Sequence, residues 1–318
     1  MKAVVRSKYG TPEVLTISDI DIPIPKDNEV LIKVRATTVN RTDYGILKGT
    51  PFIIRLFTGL SKPRLRVAGS DFAGQIEAVG RDVQSFKVGD KVMGFGMMGI
   101  GSHAEYLALP ENAVMIIIPY NITYHQAAAC LEGGLYAFAG IDAVKPQAGN
   151  NALVNGATGA IGSSIVQILK FYGVYVTAVC GGENRELVKQ FGADTVIDYK
   201  TDDFTKDSGK YDFVFDTVGK STFSKCKRLL KAKGMYIPSD GFLNIFLSLI
   251  TPMFKGKKVM FSVSKNQKAD LSFIKNLVEK GSFKPLIDRT YPIDKIVEAY
   301  TYVAAGQKIG NVIIAMDV

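Results

Sequence analysis

Three cysteines in 318 residues, Cys130, Cys180 and Cys226, lie far apart, with no C-x-x-C pair among them. That spacing excludes a secreted disulfide framework and points to a reducing, cytoplasmic compartment. The chain also has no run of five like charges, no internal repeat and no low-complexity segment. Its net charge of +9 therefore reads as a generally basic surface, with no aromatic-laced stripe for nucleic acid. Residues 2–6 read KAVVR and start a strand at once, so no export signal is expected. The most apolar stretch, 241–254, is interrupted by Asn244, Ser248, Thr251 and Pro252. It falls short of the ~20 residues that cross a bilayer, and no transmembrane segment is expected.

What is present is core material: 47% of residues are hydrophobic and 22% charged. A chain of this length exceeds what one core usually organises, which predicts two domains. Over residues 1–118, short β-like runs at 3–6, 30–34, 76–79, 91–93 and 104–109 are punctuated by glycine turns, with one short helix near 41–48. This mixture predicts a compact β-barrel-like domain. Near Asn121 the pattern changes, and Thr123 and Gln126 have capping-box spacing ahead of the small residues 127–129. From residue 152 apolar runs alternate with helical segments: strands at 152–155, 174–179, 195–197, 213–215 and 235–237, helices at 161–172, 185–191 and 221–230. Such alternation implies right-handed βαβ crossovers and a parallel sheet. Gly192 and Gly281 stand where helices should end. A final helix at 294–305 and a strand at 311–315 have no partner in that sheet order. The expected division is 1–120 with 286–318 as one domain, and 121–285 as the other.

Strand 152–155 runs directly into Gly156, Ala157, Thr158, Gly159, Ala160, Ile161 and Gly162, and then into a helix. Glycines at this spacing allow a tight turn, close approach of backbone to a pyrophosphate, and close packing of helix on strand. The helix N-terminus adds free N–H groups and positive potential. A lone glycine pattern is weak, but this one opens a βαβ series, as dinucleotide binding requires.

Six segments occur in order: GSDFAGQIEAVG (69–80), VGDKVMGF (88–95), GSHAEY (101–106), NGATGAIG (155–162), FGADTVIDY (191–199) and YDFVFDTVG (211–219). In this combination the chain resembles the medium-chain dehydrogenase/reductase superfamily, in its zinc-free quinone oxidoreductase branch. The insert 241–254 is similar to that of the subgroup containing chloroplast envelope quinone oxidoreductase homologues. The resemblance implies an α/β chain with a GroES-like β-barrel domain, completed by the C-terminal tail, and a Rossmann doubly wound parallel-sheet domain. It further implies a nicotinamide cofactor in the cleft and a homodimer. Zinc alcohol dehydrogenases of the superfamily carry a Cys at the start of the short helix, a Gly-His-Glu motif and a third ligand. Here those places read Asn40, Gly69-Ser70-Asp71 and approximately Glu132. A catalytic zinc takes three ligands from Cys, His and carboxylate, so no metal is expected. His103, His125 and Cys130 read as packing or surface residues.

An NAD-selective site places a carboxylate at the end of the second strand. This strand ends Val179, Cys180, Gly181, Gly182, so a 2′-phosphate is tolerated, with Asn184, Arg185, Tyr199 and Lys200 able to hold it. NADPH is expected over NADH, although Glu183 would repel a phosphate if it pointed inward. Val218 and Gly241 complete the expected cofactor-binding set.

Without a Lewis acid the easier hydride acceptor is a quinone or a conjugated enone, whose developing enolate needs donors. Asn40 and Tyr44 on the short helix, and Tyr136 on a helix facing the cleft, are the expected catalytic side chains, with Ser70 a further donor. Asp43 is expected to be structural. The loop 51–60, with Phe52, Ile53, Ile54 and Phe57, would supply an apolar wall. These readings predict zinc-independent, NADPH-dependent reduction of an apolar quinone or α,β-unsaturated carbonyl by direct hydride transfer. The alternatives are a non-catalytic, crystallin-like dinucleotide-binding protein, an RNA-binding protein and an enoyl-thioester reductase. Segment 241–254, followed by Lys255, Lys257 and Lys258, suits a pocket lid and subunit contact, the favoured role, or a membrane-surface anchor.

Overall fold

A computed structural model describes residues 1–316. The chain begins with β1 (Lys2–Val5) paired antiparallel with β2 (Thr16–Asp19). It then enters β3 (Glu29–Val39), an eleven-residue strand on which Val30, Ile32, Val34 and Ala36 alternate into the core. The short helix α1 (Arg41–Lys48) follows, closed by Gly49 at φ 63°, and then α2 (Ile54–Thr58). Strands β4 (Asp71–Val79), β5 (Lys91–Phe95), β6 (Tyr106–Pro110) and β7 (Met115–Ile117) complete the first pass. One edge of β3 pairs with β4, while its first half also takes β6 on the other edge. The capping box at Thr123 and Gln126 opens α3 (Tyr124–Ala129). This helix does not lead away from the first unit: Ala127, Ala128 and Ala129 are buried, and it packs against β3 and β4.

The helix α4 (Leu131–Val144) continues from α3. Together they make a run, Tyr124–Val144, long and apolar enough to cross a bilayer, but 78% of it is buried inside the protein, as in a core helix. The remaining elements alternate. They are β8 (Asn151–Asn155), α5 (Ala160–Phe171), β9 (Tyr175–Cys180), α6 (Arg185–Gln190), β10 (Thr195–Asp198), β11 (Tyr211–Asp216), α7 (Phe223–Cys226), β12 (Leu230–Pro238), α8 (Phe242–Ile250), β13 (Lys258–Val259) and α9 (Gln267–Glu279). The six strands form one parallel sheet in the order β10-β9-β8-β11-β12-β13. Ala152, Leu153 and Val154 have no exposed surface, as helices on both faces require. The order reverses between β8 and β11, and parallel sheets of this kind bind ligands at such a switch point.

The helix expected over 221–230 is shorter than its pattern suggests. Cys226, Leu229 and Leu230 are buried at a spacing that suits a helix, but pairing of Tyr211 with Leu230 starts β12 instead. A four-residue helix and a 3-10 turn are what remain.

The tail returns to the first sheet. β14 (Ile287–Pro292) pairs parallel with β15 (Asn311–Ala315), α10 (Ile296–Ala304) connects them, and β15 runs antiparallel to the second half of β3. The chain thus divides into two compact units, Met1–Glu132 with the stretch from Pro285 onward, and Gly133–Lys284. The first core gathers Ile32, Leu47, Phe72, Met115 and Tyr300; a second packs Leu153, Val214, Tyr236 and Val259.

Candidate active site

Each unit carries one constellation. In the second, the turn after β8 has Gly156 at φ 84°, where a side chain would also meet Val218 Cγ2 at 2.5 Å. A Cβ on Gly162 would lie 2.0 Å from the Gly156 carbonyl, so only glycine lets α5 begin this close to β8. No side chain caps α5, whose N-cap is Gly159; its first amides are left for a ligand. Gly156, Ala157, Thr158, Gly159, Ala160, Ile161, Gly162 and Val218 are therefore brought together.

Two residues of this cradle were not anticipated. Asp216, buried at the end of β11, accepts from Asn155 Nδ2 at 3.0 Å, Tyr236 Oη at 2.8 Å and the Val218 amide at 3.2 Å. Thr217 Oγ1 donates to the Asn155 carbonyl at 2.8 Å. The signal was available, since Asn155 and Asp216 are the polar ends of two apolar parallel strands. Tyr136, on α4, lines a small pocket of this same unit with Ile165, Phe215 and Thr217. Gly241 sits at φ 98° where it precedes α8.

At the end of β9 the expectation of no carboxylate fails. The Glu183 side chain folds back over Gly181 and pairs with Lys200 at 2.9 Å. A carboxylate oxygen of Asp198 lies 2.2 Å from where a Cβ of Gly182 would stand, and Asp198 also accepts from the Lys200 amide at 2.9 Å. Asp198 was missed because it lies on the neighbouring strand, in register with Cys180. Burial and Asp198 push the Cys180 thiol up to about 11, which leaves it inert. Asn184 and Tyr199 flank the turn, and Tyr199 is exposed. Exposed Arg185 is a cation without an ion-pair partner among the described residues.

The first unit holds a buried polar cluster where β3 meets α1 and β4. Asp71 is fully buried and accepts from the Thr38 amide at 2.7 Å, Thr38 Oγ1 and Thr37 Oγ1. Burial outweighs these bonds and pushes its carboxyl up to about 6. His103 Nε2 donates to the Thr38 carbonyl at 2.9 Å, while burial lowers the imidazole to about 4 and keeps it neutral. Gly69, at φ 100°, has no room for a side chain beside His103. Asn40 is the N-cap of α1: its Oδ1 accepts from the Asp43 amide at 2.8 Å and Asp43 returns the bond. Asn40 Nδ2 donates to Ser70 Oγ at 3.1 Å, and Ser70 bonds the Asp43 carboxylate. Both polar atoms of Asn40 are thus committed inside the protein, a positioning role in place of the expected substrate donor. Burial and neighbouring Asp71 and Glu132 raise Asp43 as well.

Tyr44, one turn along α1, is half-buried, and its hydroxyl has no hydrogen-bond partner among the described residues. Beyond it, Phe52 and Phe57 on and beside α2 are 65% and 60% exposed, so the apolar segment is turned to solvent. Glu132 accepts from Thr42 Oγ1. Burial raises its carboxyl to about 7 against the pull of Thr42 and Lys308, and burial likewise lowers Lys308.

Family models match at two places: residues 26–119 as an alcohol dehydrogenase GroES-like domain and residues 191–314 as a zinc-binding dehydrogenase. The chain is 33% identical to the chloroplast envelope quinone oxidoreductase homolog of Arabidopsis thaliana, over 93% of this chain and 92% of that one. The chain belongs to the medium-chain dehydrogenase/reductase superfamily. Within it, the NADPH-dependent alkenal/one oxidoreductase of Arabidopsis thaliana chloroplasts is 31% identical, covering 99% of this chain and 79% of that protein. The quinone oxidoreductase structure from Coxiella burnetii superposes with a TM-score of 0.87 at 25% identity, covering 99% of each chain. The zinc named for the superfamily's second family model does not suit these residues. Among the described residues no three His, Cys, Asp or Glu side chains gather to hold a metal. Asp71 spends its oxygens on Thr37 and Thr38, His103 spends Nε2 on a carbonyl, and Asn40 and Ser70 are poor zinc ligands.

Two outcomes test this geometry. Gly162→Ala should force α5 off β8 and weaken dinucleotide binding at least tenfold, read by quenching of protein fluorescence on titration with NADPH or NADH. The raised Glu132 carboxyl keeps its proton in the folded chain between about pH 4.5 and 7, where the unfolded chain has lost it. Folding stability is then greatest below that window and falls as pH rises through it, by about 3 kcal/mol at most. Scanning calorimetry of Glu132→Gln should show a flatter fall in melting temperature from pH 5 to 7.5; an unchanged slope would mean an ionised Glu132 paired to Lys308.

Proposed function

We propose that the protein is a zinc-independent reductase of quinones or α,β-unsaturated carbonyls that uses NADPH. The observation carrying this is the turn from β8 into α5, where a side chain on Gly156 would meet Val218 and one on Gly162 would meet the Gly156 carbonyl. The named chemistry of the relatives supports the acceptor class. When bound, the dinucleotide supplies a hydride.

The loop amides and the α5 N-terminus hold pyrophosphate, and Asp216 and Thr217 fix the strand ends around it. Tyr44 donates its hydroxyl hydrogen bond to the acceptor oxygen as negative charge develops there, an interaction that strengthens only in the transition state. Asn40, Ser70 and Asp43 hold α1, and with it Tyr44, in place. Hydride on the β-carbon and a proton from solvent then give the saturated carbonyl; a quinone takes the same pair of equivalents to become a quinol. Arg185 meets the 2′-phosphate, while Lys200 neutralises Glu183 so that the carboxylate does not repel it.

A panel of quinones, enones and enals offered with NADPH and NADH tests the class; faster oxidation of saturated alcohols with NADP⁺ would overturn it. Tyr44→Phe should lower kcat by about tenfold to a hundredfold while KM changes little. Arg185→Ala should weaken NADPH by about tenfold or more and leave NADH unchanged, as expected for one charge-assisted bond of about 1.5–3 kcal/mol. Equal losses for the two cofactors in isothermal titration would remove Arg185 from the phosphate site.

A further inference from the structure

Reducing an enone takes a proton as well as a hydride, and the first unit holds a buried acid beside a hydroxyl. Glu132, at the start of α4, is 6% exposed, and Thr42 Oγ1, on the first turn of α1, hydrogen-bonds its Oε1. Thr42 itself is only half-buried. The carboxyl is thus set behind the hydroxyl of a residue that still meets solvent.

A shaped loop delivers a lysine to the same place. Between α10 and β15, Gly310 stands at φ 60°, with the Leu286 carbonyl 2.3 Å from where a Cβ would lie. Asp288 accepts from the Ile309 amide at 3.1 Å and from Tyr302 Oη at 2.7 Å. These contacts fix Lys308, whose Nζ donates to the Gly310 carbonyl and whose charge faces Glu132, Asp288 and Arg41. Glu132 in turn faces Lys308, Asp43 and Asp71. Among the described residues no cation closes an ion pair with Glu132, and a buried carboxyl without one holds its proton tightly. Burial accordingly raises it to about 7. A protonated Glu132 donates to Thr42 Oγ1 across the same contact, which frees the Thr42 hydrogen for another acceptor.

We propose that Glu132 supplies the proton of the reduction, handed on by Thr42, with Lys308 placed to take up the charge that the proton leaves behind. The proposal rests on the reductase assignment. Once an enone has taken hydride on its β-carbon, the electrons of its carbon–carbon π bond lie on an enolate. The Thr42 O–H bond breaks as a C–H bond forms at the α-carbon, and the Glu132 proton replaces the one lost from Oγ1. The carboxylate left behind lies beside the Lys308 ammonium, and one solvent proton restores it before the next turnover. A hydroxyl alone is far too weak an acid near neutral pH, so the carboxyl behind it lends the acidity. The distance of Lys308 matters for the same reason: a cation in full contact would hold Glu132 ionised and empty, and no cation would leave it a poorer acid.

The dependence of kcat on pH, measured with the acceptor reduced fastest, tests the relay. In the wild type kcat should fall tenfold per pH unit above about 7. Glu132→Gln keeps the shape of the side chain but has no acidic proton to give. It should lower kcat at pH 6 at least tenfold, leave KM within about twofold, and flatten the profile. Thr42→Val should do the same, and Thr42→Ser should restore kcat to within about threefold of the wild type. Lys308→Met removes the cation that lowers the carboxyl, so the fall should move to higher pH. In the chain without cofactor, the infrared carbonyl band of a protonated carboxylic acid, lost in Glu132→Gln, should titrate with the same midpoint and move the same way in Lys308→Met. A profile unchanged in Glu132→Gln and Thr42→Val would overturn the proposal, since water would then be the direct proton source. So would a Glu132 band missing at pH 6, a Thr42→Ser enzyme as slow as Thr42→Val, or a fall that Lys308→Met leaves in place. If no quinone or enone is reduced, the reductase assignment fails and the relay with it; an active enzyme indifferent to these substitutions removes the relay alone.

Discussion

A carboxylate with no exposed surface must find hydrogen bonds inside the protein, and Asp71 organises the first unit by doing so. Its acceptors fix Thr37 and Thr38 at the end of β3. Thr38 in turn gives its carbonyl to His103 and orients that imidazole, which burial keeps neutral. With Ser70 next to Asp71 and Asn40 two residues beyond Thr38, the same cluster anchors the cap of α1. The polar groups here are so thoroughly occupied with one another that few remain for a ligand. Tyr44 is a side chain that the network positions without consuming.

The second unit solves an opposite problem. There the demand is for unsatisfied backbone donors and for space, and both come from glycine. Gly156 turns the chain, Gly162 lets α5 start against β8, and Asp216 pins the neighbouring strand end so that the opening does not drift. Side-chain polar groups are saturated in the first unit, and the first backbone donors of α5 are left without a side-chain cap in the second.

Much of this was legible in the chain itself. Helix 41–48 and strand 311–315 are found at the expected bounds, because a capping box and a terminal αL glycine define one and an unbroken β-branched run the other. The alternation after residue 152 gave the parallel sheet for the same reason. Failures came wherever sequence distance hides spatial neighbours. Asp198 guards Gly182 from sixteen residues away through strand register. Asn40 looked available until its partners at Thr38, Ser70 and Asp43 were assembled around it. Residues 221–230 carry a helical spacing of apolar positions that pairing with β11 overrules.

The split edge of β3 has a bearing on how the protein is made. Its first half is covered by β6, about 75 residues downstream, but its second half waits for β15, which arrives only with residues 311–315. During synthesis the whole parallel-sheet unit emerges before the barrel can be finished, so residues 36–39 present open strand edge to the cell for most of translation. The discontinuous architecture therefore makes residues 311–315 the ones that end this exposure. Truncations there would act on the yield of folded protein before they act on anything the finished molecule does.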